Sequence, residues 1–261
     1  MSGDGWFPVV GLLMALVGAA LGWFVPALVA KIPEPVEPES PQDEVGAAGD
    51  EEAPVDASTG QGEPVEEEPK ELYADIAALP GLAWKSALAS AAAAGLVGLR
   101  VGWDPALLVW AYLAPVGVAL AVVDWRTRLL PTRVIAPSYA VVVVLTLLAA
   151  AVSGEWDAAI RAGWGWLVAG GTFFVLWFVY PRGMGYGDVR LSGILGIALG
   201  YLGWAELLTG VYAGFLIGGV SGLLLSVLRI VDRKAYPFGP FMLVGALVGV
   251  LAGPNVAAWY A

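Results

Sequence analysis

The chain contains no cysteine and no histidine. Disulfides, thiol nucleophiles, histidine bases and the common zinc and haem ligand sets are therefore excluded together. Any chemistry has to come from carboxylates, hydroxyls, Lys, Arg or backbone groups. Charge is scarce as well. Only 14% of the 261 residues are charged, against about 25% in an ordinary soluble domain. What fills the chain instead is apolar: 59% hydrophobic residues, 12 Trp, 35 Gly and a mean hydropathy of +0.75. Such a composition identifies a polytopic membrane protein. It gives no reason to invoke a metal, a cofactor or nucleic acid.

The formal net charge of −10 is unevenly placed. Between Glu34 and Glu71 lie 14 of the 23 acidic residues and one of the 13 basic ones, which leaves 9 acidic and 12 basic residues elsewhere. The stretch is rich in Pro, Glu, Gly and Asp and poor in large apolar side chains, so it buries too little surface to offset its ordering entropy. It is expected to be a disordered, solvated acidic spacer. The organisation that follows is a first transmembrane helix within 1–33, this linker over 34–71, and a seven-helix membrane core over 72–261.

A helix needs about 20 apolar residues to cross the hydrocarbon core. Eight runs meet that measure, at roughly 6–30, 82–101, 105–124, 134–153, 159–181, 189–207, 209–230 and 239–260. The expected fold is an all-α membrane helix bundle of about eight spans. The first run is preceded by Asp4 and by no Lys or Arg, and it is too long for a signal h-region, so it is expected to be retained. Alternating the eight spans with the N-terminus outside places Lys31, Lys70, Lys85, Arg126, Arg128, Arg133, Arg182, Arg190, Arg229, Arg233 and Lys234 on the cytoplasmic side. Only Arg100 and Arg161 fall outside, a bias in keeping with retention of basic loops in the cytoplasm. Trp103, Trp110, Trp125, Trp164 and Trp204 fall near predicted span ends and are expected to be interfacial anchors. The small residues of ALASAAAAG (87–95) and Gly218-Gly219-Val220-Ser221-Gly222 are expected to let helix backbones approach closely.

Two carboxylates outside the linker stand apart by position. Asp124 ends the third run in AVVDWRTRLLP (121–131), and Asp188 opens the sixth in GMGYGDVR (183–190). Both are expected at the cytoplasmic membrane boundary, where an ionisable group is costly unless it is paired, wet or functional. Each has a plain structural reading: Asp124 as an ion-pair partner of Arg126 or Arg128, Asp188 as a helix N-cap. Taken together they offer acid–base chemistry to a chain with no other obvious means. Two carboxylates within hydrogen-bond reach do not both ionise readily, so one acts as acid and the other as base toward a shared water. Gly185 and Gly187 fit the same picture, since glycine allows unusual backbone angles and close approach of an extended substrate. A proton-coupled transporter using the same two aspartates is the rival from another class.

At these residues the chain resembles the bacterial prepilin peptidases, the type IV prepilin leader peptidases among the GxGD intramembrane aspartic proteases. AVVDWRTRLLPTR (121–133) is similar to that family's first aspartate motif and GMGYGDVRLSG (183–193) to its second. YPFGPF (236–241), followed by Gly245, resembles its C-terminal Pro-Phe-Gly-Pro motif, and GAALGWFVPALVAKIP (18–33) matches its first span more loosely. The Pro-Phe-Gly-Pro motif and the Leu-Pro after the first aspartate favour this group over the archaeal preflagellin or presenilin types.

The resemblance implies an aspartic endopeptidase in the bacterial inner membrane, multi-pass, with its active site facing the cytoplasm. It would remove the short basic leader from type IV prepilins or pilin-like pseudopilins. Asp124 and Asp188 would be catalytic, Gly185 and Gly187 would shape the substrate's approach, and Pro237, Phe238 and Gly239 would position the site. Many members carry paired cysteines in the first cytoplasmic loop, associated with N-methylation of the new terminus. Here that loop is acidic and cysteine-free, so cleavage without methyl transfer is expected.

Overall fold

The computed structural model describes residues 6–34, 71–181, 184–227 and 237–260. Residues 35–70 of the acidic spacer, Arg182, Gly183 and Tyr236 lie outside them, as do Lys70, Arg229, Arg233 and Lys234. The described residues form α-helices and contain no strand: α1 (Pro8–Gly22), α2 (Val25–Val29), α3 (Tyr73–Ala77), α4 (Leu82–Val101), α5 (Leu107–Thr127), α6 (Thr132–Ser153), α7 (Trp156–Val179), α8 (Tyr186–Leu202), α9 (Trp204–Val227) and α10 (Gly239–Tyr260).

Six of these, α4, α5, α6, α7, α9 and α10, are long and apolar enough to cross a membrane. The chain is a multi-pass membrane protein of helical architecture. The other two expected spans are shorter. α1 has 15 residues and α8 has 17. The run 6–30 is not one helix, because the chain turns at Trp23 and Phe24 before restarting at Val25. Pro26 stands in that new first turn. A proline there costs nothing, whereas inside a continuous helix it would remove a hydrogen bond and clash with the preceding turn. The boundary between the sixth and seventh spans also falls earlier than expected, at Gly203, whose N–H still donates to Leu199 C=O at 3.0 Å.

Close backbone contact organises the bundle into three tight pairs: α1 with α4, α7 with α8, and α9 with α10. The 87–95 run acts as expected, since a Cβ at Gly18 would strike Ser90 C=O and one at Gly22 would lie 2.7 Å from Ser86 C=O. α9 and α10 meet through other glycines than the expected ones. Gly210 and Gly214 face Gly245 and Gly249, and a Cβ at Gly249 would come within 2.5 Å of Glu206 C=O. Gly218 instead seats the Phe238 ring, and Gly219 has nothing near it. α8 lies at the centre, buried almost continuously from Asp188 to Tyr201.

Basic residues divide between the two ends of the bundle as the alternating topology requires. Lys31, Lys85, Arg126, Arg128, Arg133 and Arg190 belong to the end formed by the C-termini of α2 and α5 and the N-termini of α4, α6 and α8. At the opposite end, Arg100 lies over Trp6, and Arg161 donates to the carbonyls of Gly200 and Tyr201 at the close of α8. Four of the five named tryptophans are exposed, but Trp110 is only 5% exposed and belongs to the core. Its expected anchoring role is therefore corrected: its ring packs into the core on the covered side of α5, while Leu108 in the same turn is exposed.

Candidate active site

Asp124 sits in the last turn of α5 and is 4% exposed. That turn is closed by a local network. Arg128, in the left-handed region at φ 57°, donates its N–H to Asp124 C=O at 2.8 Å. Thr127 Oγ1 donates to Val123 C=O at 2.9 Å and accepts the Leu129 N–H at 3.3 Å. The Asp124 carboxylate faces α10, where its Oδ2 accepts the Gly239 N–H at 2.9 Å. This N–H is the first of α10 and has no intrahelical acceptor, so a carboxylate satisfies it and also meets the positive end of the helix dipole. Asp124 makes no ion pair with Arg126 or Arg128 among the described residues. Arg126 goes to Glu71 instead, at 3.4 Å.

Asp188 is 7% exposed and lies inside α8 rather than before it. The helix begins at Tyr186, so the N-cap is Gly185 and Asp188 is the third helical residue. Its Oδ2 accepts the Gly185 N–H at 3.2 Å while its own N–H donates to Gly185 C=O at 3.0 Å. A third-position acid reaching back to the N-cap amide is half of a capping box, which corrects the N-cap reading by three residues. Its Oδ1 is buried with no hydrogen-bond partner among the described residues. A buried oxygen left without a partner is costly, and it is the group that a water or substrate can use. Leu130 links the two sites: a Cβ at Gly187, next to Asp188, would lie 2.6 Å from its Cβ, and one at Gly239, whose N–H bonds Asp124, would lie 3.5 Å from its Cδ2. The helix ends thus bring together carboxylates 64 residues apart in sequence.

Pro237 and Gly239 are buried and Phe238 is half-buried. The Phe238 ring lies 5.9 Å from Phe173 and 5.7 Å from Phe215, centroid to centroid. Its carbonyl accepts the N–H groups of Phe241 and Met242. This aromatic anchoring fixes the start of α10 and hence the amide that holds Asp124.

Gly187 and Gly239 are required sterically, and neither Gly185 nor Gly187 is required by its backbone angles. Gly185 has φ −73° and ψ 144°, which any residue adopts, and Gly187 is helical. Among the described glycines, φ values in the left-handed region occur at Gly81, Gly102 and Gly154 and not at Gly185 or Gly187. A Cβ at Gly187 would stand 2.6 Å from Leu130 Cβ, and one at Gly239 would stand 2.8 Å from Asp124 Oδ2. A Cβ at Gly185 would meet nothing closer than 3.5 Å. The expectation of special backbone conformation at Gly185 and Gly187 is corrected accordingly.

Two features at this end went unread in the sequence. The first joins the ends of the acidic stretch: the Glu34 carboxylate accepts the N–H groups of Tyr73 and Ala74 at 3.0 and 3.1 Å. Tyr73 is buried in the same core cluster as Val29, Ile32 and Ile76. The second surrounds Arg190, whose guanidinium bonds Thr132 Oγ1 and lies 4.6 Å from the Tyr186 ring centre, while its carbonyl accepts from Tyr139 Oη at 2.7 Å. Long-range pairings of this kind leave no local pattern in a chain.

Residues 111–227 match the type IV leader peptidase family. The chain is 32% identical over 167 residues to the prepilin leader peptidase/N-methyltransferase of Aeromonas hydrophila, covering 62% of this chain and 54% of that one. Identity to the proteins of the same name is 28% over 163 residues in Stutzerimonas stutzeri, covering 59% and 51%, and 27% over 180 residues in Pseudomonas aeruginosa, covering 66% and 59%. The chain thus spans about half the length of the curated relatives it matches. No solved structure matches it. The matched region carries both Asp124 and Asp188, and over it the chain is similar to the type IV leader peptidase family.

Proposed function

We propose that the chain is an intramembrane aspartic endopeptidase that removes the short basic leader of type IV prepilins or pilin-like secretion proteins at the cytoplasmic face of the inner membrane. The observation that carries this reading is the meeting of two buried carboxylates at one end of the bundle. One is held by the first amide of α10, and the other keeps a free buried oxygen. The family match over 111–227 and the relatives' names support a prepilin as the substrate.

In the proposed reaction one aspartate, as carboxylate, takes a proton from water while the oxygen attacks the scissile carbonyl. The other, protonated, supports the developing oxyanion. As the tetrahedral intermediate collapses, the C–N bond breaks and the nitrogen leaves as an amine carrying the transferred proton. Gly239 N–H and the two helix N-termini supply positive potential beside this developing negative charge. No covalent intermediate is required. Because the first loop lacks cysteine, we assign cleavage without the methyl transfer named in the relatives. A transporter reading has no observation in its favour, since the aspartates lie at one end of the bundle rather than at midplane.

The test is Asp124→Asn and Asp188→Asn in cells co-expressing a prepilin from the same genome. Each is expected to lower leader removal by about 100-fold or more, the range lost with a general acid or base, while membrane insertion is unchanged. Normal processing by either variant would overturn the dyad. Mass spectrometry of the mature pilin is expected to show an unmethylated N-terminus, and a methylated one produced by this chain alone would overturn the cleavage-only assignment.

A further inference from the structure

Between the two aspartate-bearing helix ends stands an apolar side chain with no role assigned so far. Leu130 belongs to the short turn joining α5 to α6. The glycine contacts place it on the starts of two other helices. A Cβ at Gly187 would lie 2.6 Å from Leu130 Cβ and 3.4 Å from its Cδ1, and a Cβ at Gly239 would lie 3.5 Å from its Cδ2. One of those starts carries Asp188 at its third position, and the other supplies the amide bonded to Asp124.

The turn that presents Leu130 has little freedom. Upstream it is tied by the Arg128 and Leu129 amides to Asp124 C=O and Thr127 Oγ1. Downstream, Pro131 C=O accepts the amides of Val134 and Ile135 at the start of α6. A branched side chain on a fixed turn acts as a stop against which two helix ends rest. Leu130 is itself only half-buried, so its removal leaves a dent reachable from outside rather than a sealed cavity. Truncation of such a residue affects stability less than it affects spacing.

We infer that Leu130 is a positioning residue that sets the separation of the two carboxylates by holding the N-termini of α8 and α10 apart. This rests on the proposed aspartate dyad. A displacement of about 1 Å at a reacting centre costs up to about 100-fold in rate, so loss of the three carbons beyond Cβ in Leu130→Ala is felt in turnover.

The experiment pairs kinetics with a distance. Leu130→Ala is expected to lower kcat about 10-fold to 100-fold with KM and thermal unfolding nearly unchanged, and Leu130→Met is expected to retain activity. Gly187→Ala, whose methyl would stand 2.6 Å from Leu130 Cβ, is expected to lose activity. Because the chain has no cysteine, spin labels on Tyr186→Cys and Val244→Cys, both exposed, report the separation of α8 and α10 in nanodiscs without background. Leu130→Ala is expected to shift that separation. An unshifted distance, or a loss of activity that merely tracks unfolding, overturns the inference. If the unsubstituted chain cleaves no prepilin, the proposed function fails, and the label distance still decides the role of Leu130.

Discussion

At the residue scale, the aspartates were legible because an acid at the edge of an apolar run is costly and therefore conspicuous. The glycines beside them were legible as a motif but not as a cause. Gly187 and Gly239 are small because Leu130 and the Asp124 carboxylate occupy the space a Cβ would take, and those neighbours come from elsewhere in the chain. This separates three substitutions that look alike in sequence. Gly239→Ala puts a methyl 2.8 Å from Asp124 Oδ2, against a bonded carboxylate with little room to retreat, so cleavage is expected to fall about 10-fold or more. Gly187→Ala is expected to behave similarly. Gly185→Ala meets only an ordinary 3.5 Å contact and is expected to keep the geometry of the site. Parallel cleavage assays on the three purified variants check this order. Loss of cleavage in Gly185→Ala with an intact fold would assign that glycine to the substrate's path instead.

At the scale of elements, the long apolar runs announced their helices, and α4 and α10 have the expected boundaries. Short elements did not announce themselves. α2 and α3 have five residues each, too few for any periodicity to register, and both owe their existence to tertiary contacts. Glu34 caps α3 from across the linker, and Glu71 pairs with Arg126. The ends of the acidic stretch are therefore clasped against the turn that carries Asp124. Tyr73's phenol is pushed above its ordinary value by burial and then by Glu34, so it stays protonated throughout the physiological range. Replacing 35–70 with about six Gly/Ser residues, which reach about 20 Å, is expected to preserve cleavage if the spacer interpretation holds. Extending the excision through Glu34 and Tyr73 removes the clasp and is expected to reduce it. A cell-based processing assay on the two deletions, with insertion verified, distinguishes them. Equal activity in both would remove any role for the clasp.

At the scale of the whole molecule, the arrangement of charge around the helices carried more information than hydropathy alone. Counting apolar runs gave eight spans, yet α1 and α8 fall short of the about 20 residues a crossing requires. α8 can be short because from Asp188 onward it lies deep among its neighbours rather than against lipid, while its cap at Gly185 and Tyr186 is exposed. Depth of that kind is set by packing, which a hydropathy profile does not contain. The basic residues, in contrast, sort cleanly. Lys31, Lys85, Arg126, Arg128, Arg133 and Arg190 share the aspartates' end, whereas Arg100 and Arg161 lie at the other. Retention of basic loops predicts that the aspartate end faces the cytoplasm. The cysteine-free chain allows a direct test with single substitutions at the exposed residues Arg133 and Glu155, which flank opposite ends of α6. In intact cells a membrane-impermeant thiol reagent is expected to label Glu155→Cys and to spare Arg133→Cys, with both labelled after permeabilisation. The reverse pattern would place the carboxylates on the outer face. There they could not meet a leader before its export, and the peptidase reading would have to be abandoned along with the orientation.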